Sequence, residues 1–176
     1  NQDNEEIQRF VESGSNRIYK TIDEIPKDLQ NAFVAIEDSR FYSHNGVDLH
    51  GILRAAFVGI TQGNFSEGAS TITQQLIKNN VFPNFVDEQT FWDSLERKIQ
   101  EQYLALKIEK QMSKEEILEN YMNTINLGQN TLGVQSASMR YFNKDVSDLN
   151  LSECAAIAAI TQNPGKYNPI TNPEKN

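Results

Sequence analysis

Apolar residues recur at helical spacing through most of this chain. The segment LQNAFVAIE places Leu29, Phe33 and Ile36 on one face of a helix that opens at Pro26 and ends near Ser39. Further helices are predicted at 48–62, 70–79, 90–111, 113–123, 131–141 and 152–161, with Ser70 as the cap of the second of these. RIYKTI, residues 17–22, is predicted as a short strand, and residues 1–16 are expected to be frayed. The patterns predict a mostly α fold, a compact helical bundle without repeats.

The helix predicted from Thr90 is the longest, and it carries two apolar stripes. One stripe consists of Trp92, Leu95, Ile99, Tyr103 and Leu106. The other, on roughly the opposite side, consists of Leu104, Ala105 and Ile108. A helix that is apolar on two sides needs neighbours on both. We therefore expect this helix to be wrapped by others.

Composition and charge narrow the possible functions. The 176 residues suffice for one domain with a hydrophobic core. The chain starts without Met and stops in a Pro- and Asn-rich segment, so we expect it to be part of a longer protein. A net charge of −8, with scattered Lys and Arg, predicts no nucleic-acid partner and no simple adsorption to anionic lipid. Cys154 is the only cysteine, so an internal disulfide is excluded, and its helical run SECAAIAAI predicts burial.

A polar stripe follows the helix predicted from Ser70. Thr71, Gln74, Gln75 and Lys78 lie at helical spacing on one face, away from the apolar residues. The N-terminus of a helix attracts anions, and Lys78 extends the positive potential along the stripe. The alternative is a solvated face, although such faces usually carry Glu and Lys pairs. The stripe is a candidate anion-binding surface.

Charged residues also cluster on the long helix. Lys98 and Glu101 are i, i+3 neighbours, and Arg97 and Glu101 are i, i+4 neighbours. The alternative is a surface ion-pair cluster of little energetic value. However, Glu101 lies in line with apolar residues, where a charge seldom serves stability alone. Glu101 is therefore a candidate functional carboxylate.

The first helix ends in a dense group of charged and aromatic residues, IEDSRFYSHNG at 36–46. The negative end of the helix dipole, the apolar neighbours and Asp38 all favour the protonated form of Glu37, which suits a general base. His44 is a candidate proton carrier, although a lone His in a turn is more often a structural hydrogen-bonding group. His44 and His50 lack metal-ligand spacing. The alternative for the whole stretch is a solvated helix end.

Two glutamates and a group of cations suggest sugar chemistry. A glycosidase needs a general acid to protonate a poor sugar leaving group. A glycosyl donor with a phosphate leaving group instead needs cations to stabilise the developing negative charge. Lys78, Arg97 and Lys98 suit the second requirement better.

Five segments resemble the five motifs of glycosyltransferase family 51, in the family order. EDSRFYSHNG resembles the first motif, Glu-Asp-x-x-Phe-x-x-His-x-Gly, and GASTITQQLIKN (68–79) the second. The third, fourth and fifth are RKIQEQYLALKIE (97–109), KEEILENYMNTINLGQNTLGVQSASMRYF (114–142) and LSECAAIAAITQNPGKYNP (151–169). Members of this family are peptidoglycan polymerases, either the glycosyltransferase domains of class A penicillin-binding proteins or monofunctional transglycosylases. The resemblance covers residues 37–169.

The resemblance implies a lysozyme-like bilobal helical fold with a head lobe and a small membrane-facing jaw. Residues 1–176 would form a single domain with its core at 17–170 and its jaw near 45–67 and 80–90. The implied reaction is polymerisation of lipid II into β-1,4-linked glycan, with inversion and release of undecaprenyl pyrophosphate. The runner-up is a lysozyme-like glycan hydrolase or lytic transglycosylase that uses Glu37 as its acid, and a non-catalytic membrane-docked scaffold is a third possibility.

The resemblance also implies roles for individual residues. Glu37 matches the general base, and Glu101 matches a second essential glutamate near the pyrophosphate and a possible divalent cation, Mg²⁺ or Mn²⁺; no organic cofactor is implied. The positions that match substrate-binding or site-shaping residues are Asp38, Phe41, His44, Ser70, Thr71, Gln75, Lys78, Asn79, Arg97 and Lys98.

The implied partners are lipid II, the nascent glycan strand and phosphoglycolipid inhibitors such as moenomycin. The implied location is the outer face of the bacterial cytoplasmic membrane, with an N-terminal transmembrane anchor outside this chain. The apolar segment GILRAAFVGI (51–60) has two interpretations: its sequence favours an ordinary core helix, and the family suggests that it and Phe65 enter the membrane interface.

Two segments depart from the family pattern. NVFPNFVDEQTFWDS carries only acidic charges where the family commonly has an Arg, and the turn of the fourth motif has Asn126, Leu127 and Gly128 in place of Tyr-Phe-Gly.

Overall fold

The computed structural model describes residues 18–62, 68–82, 90–129 and 131–176. Within these ranges the α-helices are α1 Lys27–Glu37, α2 Leu49–Gln62, α3 Ile72–Val81, α4 Phe91–Ile108, α5 Lys114–Thr124, α6 Val134–Phe142 and α7 Leu151–Ile160. Short 3-10 helices lie at Ile22–Glu24, Phe41–Ser43 and Val146–Asp148. The described residues contain no strand, only an isolated bridge between Asn126 and Leu132. The predicted mostly α class is confirmed.

Capping residues set where several helices begin. Ser113 accepts a hydrogen bond from the backbone N–H of Glu116 at the start of α5, which confirms the predicted capping box. The prediction that Ser70 caps α3 was wrong by one residue. Thr71 is the cap, because its hydroxyl accepts from the N–H of Gln74 while the Gln74 side chain accepts from the N–H of Thr71. The true cap leaves the Ser70 side chain available for other contacts.

The core lies where α1 packs against α7 and α3 packs against α5 and α4. Its fully buried side chains come from all of these helices and include Leu29, Phe33, Ile72, Ile117, Leu118, Tyr121, Met122, Ala105 and Ile157. Cys154 is fully buried in this core, as predicted, and burial raises the pKa of its thiol. The last residue of α1 and the first residues of α3 are thereby held close to each other.

The strand predicted at 17–22 is wrong over its described part, residues 18–22. Both backbone groups of Lys20 bond to the side-chain amide of Asn123, with its N–H donating to Oδ1 at 2.8 Å and its C=O accepting from Nδ2 at 2.8 Å. Two residues on, the N–H of Ile22 donates to Glu119 at 2.6 Å. The backbone of this segment bonds to α5 side chains instead of to a second strand. The prediction for residues 1–16 lies outside the described residues.

The apolar face of α4 is exposed, so the expectation that other helices wrap α4 was wrong. Trp92 is 73% exposed and Ile99 60%, with Leu95, Tyr103 and Leu106 also exposed. Only the opposite stripe, centred on fully buried Ala105, packs inward. The periodicity identified the face correctly but could not show whether anything covers it.

The apolar face of α2 is exposed as well, which contradicts the core-helix interpretation of residues 51–60. Leu49, Leu53, Phe57 and Ile60 are each at least 67% exposed. Leu49 and Leu106 line one cavity of about 510 Å³, so the faces of α2 and α4 approach each other there. None of the described helices is both long and apolar enough to cross a bilayer. Part of the predicted jaw, including Phe65, lies outside the described residues.

Candidate active site

Glu37 is the last residue of α1 and is half-buried. The helix ends here because Asp38 leaves the helical region of backbone space, with φ −158° and ψ 74°. The Nε2 amino group of Gln75, on α3, donates a hydrogen bond of 2.6 Å to Oε2 of Glu37. This contact joins the first and second sequence motifs at the carboxylate that we predicted as the base.

Asp38 is buried and connects α1 to the N-terminus of α3. His44 Nδ1 accepts from the N–H of Gly46 at 3.1 Å, so the proton is on Nε2, which donates to the Asp38 carboxylate at 2.9 Å. The N–H of Ile72 donates to the same carboxylate at 3.1 Å. A negative charge at the start of α3 is also favoured by the helix dipole. The interpretation of His44 as a structural hydrogen-bonding group therefore matches its contacts.

The loop after Asp38 is held from several sides. Thr71 Oγ1 donates to the C=O of Gly46 at 2.6 Å. Gly46 has a positive φ of 89°, and a Cβ there would lie 2.8 Å from the backbone oxygen of Ala105. Phe41 is fully buried, with the ammonium group of Lys114 4.4 Å from its ring centre. Phe41 and Thr71 thus give this loop its shape.

The charged cluster predicted on α4 is present, and its carboxylate is buried. Glu101 is 1% exposed and accepts hydrogen bonds from Arg97 and, at 3.0 Å, from Lys98 Nζ. Lys98 Nζ also donates to Ser70 Oγ at 3.1 Å, which ties α4 to the residue just before α3. The Lys98 side chain is 43% exposed. A buried carboxylate thus holds two cations at the edge of a cleft.

Three adjoining clefts run past these residues, and Ser70 lines all of them. The cation cleft, about 150 Å³, is lined by Ser70, Gln74, Gln75, Lys78, Asn79, Lys98 and Glu101. The central cleft, about 360 Å³, is lined by Ile36, Glu37, Gly68, Ser70, Gln75, Thr161 and Gln162. The arginine cleft, about 220 Å³, lies on another side of Glu37 and includes Asp38, Arg40, Asp48, Arg54 and Thr71. Glu37, Lys78 and Lys98 thus line one continuous surface, and Arg97 is joined to it through Glu101.

Several residues that line or support these clefts were not recognised from the sequence pattern. Arg40 bonds to Asp48 in the arginine cleft, with Nε donating at 3.0 Å. Tyr121 is fully buried, and its hydroxyl donates to Oε1 of Gln75 at 3.1 Å. The sequence carries a signal for Tyr121, because a tyrosine on the apolar face of α5 needs a partner for its hydroxyl. No comparable pattern marks Thr161 or Gln162.

A metal ion at Glu101 would need further ligands close to that carboxylate. Among the described residues, no three His, Cys, Asp or Glu side chains lie close enough together to hold an ion. Glu101 already accepts hydrogen bonds from Arg97 and Lys98. Its surroundings therefore lack the ligands of a metal site formed by protein alone, although Mg²⁺ often needs only one or two carboxylates beside substrate phosphates.

Several known proteins are similar to this chain in sequence. The sequence profile of the Transglycosylase family matches residues 3–176. Penicillin-binding protein 1A of Clostridium acetobutylicum is 49% identical over 173 residues, which is 96% of this chain and 21% of that protein. Penicillin-binding protein 1A of Clostridium perfringens is 50% identical over 157 residues, 87% of this chain and 22% of that protein. Penicillin-binding protein 1F of Bacillus subtilis is 45% identical over 161 residues, 92% of this chain and 22% of that protein.

The chain spans about a fifth of the length of these relatives. The family match covers nearly all of the chain and includes all five motif segments. The expectation drawn from those motifs is confirmed: the chain belongs to the transglycosylase family, glycosyltransferase family 51.

Proposed function

We propose that this domain polymerises lipid II into β-1,4-linked glycan strands, with inversion at the glycosyl donor's anomeric carbon and release of undecaprenyl pyrophosphate. The observation that carries the proposal is the continuity of the clefts around Ser70. Glu37 lines the central cleft, and Lys78, Lys98 and Glu101 line the neighbouring cation cleft. A base and a cationic surface are what a transfer with a diphosphate leaving group requires.

Glu37 acts as the general base toward the acceptor 4-hydroxyl. Its carboxylate is half-buried, accepts one neutral hydrogen bond from Gln75 and lines the central cleft. As the hydroxyl oxygen attacks the anomeric carbon, its proton passes to Glu37 and the bond from that carbon to the diphosphate oxygen breaks. General base catalysis of this kind contributes on the order of 100- to 10,000-fold to a rate.

The cation cleft stabilises the departing diphosphate. Lys98 is half exposed and lies beside the N-terminal end of α3 through its bond to Ser70. Lys78 and Asn79 line the same cleft, and Arg97 is held next to Lys98 by the shared carboxylate of Glu101. Cations that are fixed before the reaction stabilise the developing charge without having to reorganise.

The divalent cation expected with the pyrophosphate is part of the same proposal. Glu101 would be the protein ligand of such a cation beside the phosphate oxygens, since Mg²⁺ often needs only one or two carboxylates there. Polymerisation in the presence of a chelator, with Mg²⁺ or Mn²⁺ then added back, tests this role. We expect the rate to fall in chelator and to recover, and an undiminished rate in chelator would contradict it.

The exposed apolar faces of α2 and α4 support contact with the membrane interface. Phe57, Ile60 and Trp92 are each at least 68% exposed, and burying a side chain of this size contributes about 1.5–3 kcal/mol. Such a surface would hold the clefts beside the lipid-linked substrate at the outer face of the cytoplasmic membrane. We expect Leu53→Ser with Phe57→Ser to weaken sedimentation with phospholipid vesicles, and Ser147→Ala, away from both faces, to leave it unchanged. Equal sedimentation of both variants would argue against this surface.

Incubation of the chain with lipid II tests the reaction itself. Long glycan strands on a gel are expected, and phosphoglycolipids such as moenomycin should block their formation. Shortening of preformed glycan without polymerisation would instead indicate a hydrolase or lytic enzyme, an alternative that the family match does not favour. If neither product forms, the result would indicate a non-catalytic scaffold.

A further inference from the structure

We propose that Tyr121 is a positioning residue for the reaction, because its hydroxyl fixes the Gln75 amide so that the amino group faces Glu37. The inference rests on the proposed role of Glu37 as base and adds a residue to which no role in the reaction has been given. Two hydrogen bonds carry it: Tyr121 Oη to Gln75 Oε1 at 3.1 Å, and Gln75 Nε2 to Glu37 Oε2 at 2.6 Å.

The chemistry of the three groups fixes the direction of this chain of hydrogen bonds. A carboxylate only accepts, so the end of Gln75 that faces Glu37 must be the amino group. The carbonyl end then needs a donor, and the Tyr121 hydroxyl provides one. If the amide rotated by half a turn, its oxygen would face the carboxylate oxygen of Glu37, and the Tyr121 hydroxyl would have to accept from the amino group instead of donating to the carbonyl.

Tyr121 is suited to remain a donor under all working conditions. Burial, together with the nearby carboxylates of Glu37 and Asp38, raises its pKa well above the ordinary value. Its phenol therefore stays protonated throughout the physiological range. The ring also packs edge-on against Phe33, one helical turn before Glu37, with ring centres 6.1 Å apart. A single core residue on α5 thus holds both α1 and the amide that touches the base.

Other charged groups lie around Glu37. Its chain neighbour Asp38 is one of them. Arg40, Asp48 and Arg54 line the arginine cleft, and Lys78, Lys98 and Glu101 line the cleft on the other side of Gln75. Tyr121→Phe leaves these groups in place, so a change in the pH dependence would report the hydroxyl alone.

The test is the pH profile of lipid II polymerisation by Tyr121→Phe, which removes the hydroxyl and keeps the ring. A hydrogen bond to the ionised carboxylate favours that form, so a disordered Gln75 makes Glu37 easier to protonate. We expect kcat to fall about tenfold, KM to change little and the acid limb of the profile to move to higher pH. A residue that only filled the core would move none of the limbs.

Tyr141→Phe is the matched control, since the Tyr141 hydroxyl is also partly buried and donates to the C=O of Leu127 at 2.7 Å. It should leave the pH profile unchanged, and thermal unfolding of both variants reports any loss of folded protein. A wild-type profile for Tyr121→Phe, or a rate loss with an unmoved acid limb, would overturn the inference. If Glu37→Gln is inactive in the same assay, either of these outcomes for Tyr121→Phe removes only the proposed role of Tyr121 and leaves Glu37 as the base. If Glu37→Gln is fully active, the base assignment itself fails.

Discussion

Glu37 and Glu101 are both withdrawn from solvent beside the same set of clefts, but their partners differ. Glu37 is half-buried and accepts its hydrogen bond from the neutral amide of Gln75. Glu101 is 1% exposed and accepts from Arg97 and Lys98. A carboxylate with a neutral partner can accept a proton during a reaction without leaving a cation uncompensated. Loss of a carboxylate that holds two cations leaves both cations without their counter-charge.

The two carboxylates therefore serve different purposes. Glu37 is arranged for proton transfer and lines the open central cleft, whereas Glu101 holds Arg97 and Lys98 in place. The same substitution should therefore have different consequences at the two positions: loss of rate alone at Glu37, and loss of both rate and stability at Glu101.

Glu37→Gln is expected to have the largest effect on rate. The amide is nearly isosteric and removes the base, so polymerisation of lipid II should fall on the order of 100- to 10,000-fold. The free energy of unfolding should change by less than about 0.5 kcal/mol, because the oxygen that accepts from Gln75 is retained. Gel analysis of glycan strands and denaturant unfolding measure the two quantities. Polymerisation at the wild-type rate would exclude Glu37 as the base.

Glu101→Gln should reduce both the rate of polymerisation and the free energy of unfolding. Loss of the carboxylate leaves Arg97, whose side chain is 13% exposed, without its counter-charge. We expect a loss of about 2 kcal/mol in the free energy of unfolding and a fall in rate on the order of 100-fold. Glu96→Gln, on the exposed side of the same helix, is the control for a change of net charge. Unchanged stability would mean that the ion pairs do not hold the cluster together.

Lys98→Ala tests the cation cleft apart from catalysis. A charge-assisted hydrogen bond contributes about 1.5–3 kcal/mol, so the affinity for moenomycin should fall at least about tenfold. The matched control is Lys107→Ala on the same helix, whose ammonium group lies 4.7 Å from the ring centre of Tyr103 and does not line the clefts. Equal affinity of the two variants for the inhibitor would remove Lys98 from the diphosphate site.

Asp145→Asn should have the smallest effect and shows how an ordinary structural carboxylate behaves. The pKa of Asp145 is lowered to about 2, first by the hydrogen bond from the Ser147 N–H and then by Lys20. A lowered pKa stabilises the fold above the ordinary value of 3.8, and this contribution is lost as the pH falls toward about 2. Because the side chain is 37% exposed, we expect a loss of only about 1 kcal/mol at neutral pH.

The difference in stability between Asp145→Asn and the wild type should disappear in acid. The substitution should not change the rate of polymerisation at neutral pH. Asp148→Asn, an exposed carboxylate in the 3-10 helix that Asp145 caps, is the control. A fall in rate for Asp145→Asn would mean that carboxylates outside the clefts also affect catalysis, and the contrast between Glu37 and Glu101 would lose its meaning.

The helices could largely be predicted from the sequence because their signals are local. Ser113 and Glu116 cap α5 within four residues, and the apolar spacing of Leu29 and Phe33 identifies the buried face of α1. Exposure could not be predicted in the same way. Ile99 and Phe57 have the spacing of core residues, but periodicity defines a face without showing what lies opposite it.

The charged residues of the candidate site could be predicted from the sequence, but the contacts between its distant residues could not. Lys98 and Glu101 are close in sequence, so their contact follows from helical geometry. Gln75 and Tyr121 are 46 residues apart, and their contact depends on how α3 packs against α5. The predictions of substrate contacts at positions such as Asn79 and Thr71 remain predictions.

The two hydrogen bonds between the Lys20 backbone and the Asn123 side chain have a mechanical consequence. Both backbone groups of Lys20 are bonded to one side chain of α5, and the next bond along the chain, from the N–H of Ile22 to Glu119, reaches the same helix. Tension applied to the chain ahead of residue 18 is therefore received by α5 before it can reach α1. A pull from that side would load first the helix that carries Tyr121.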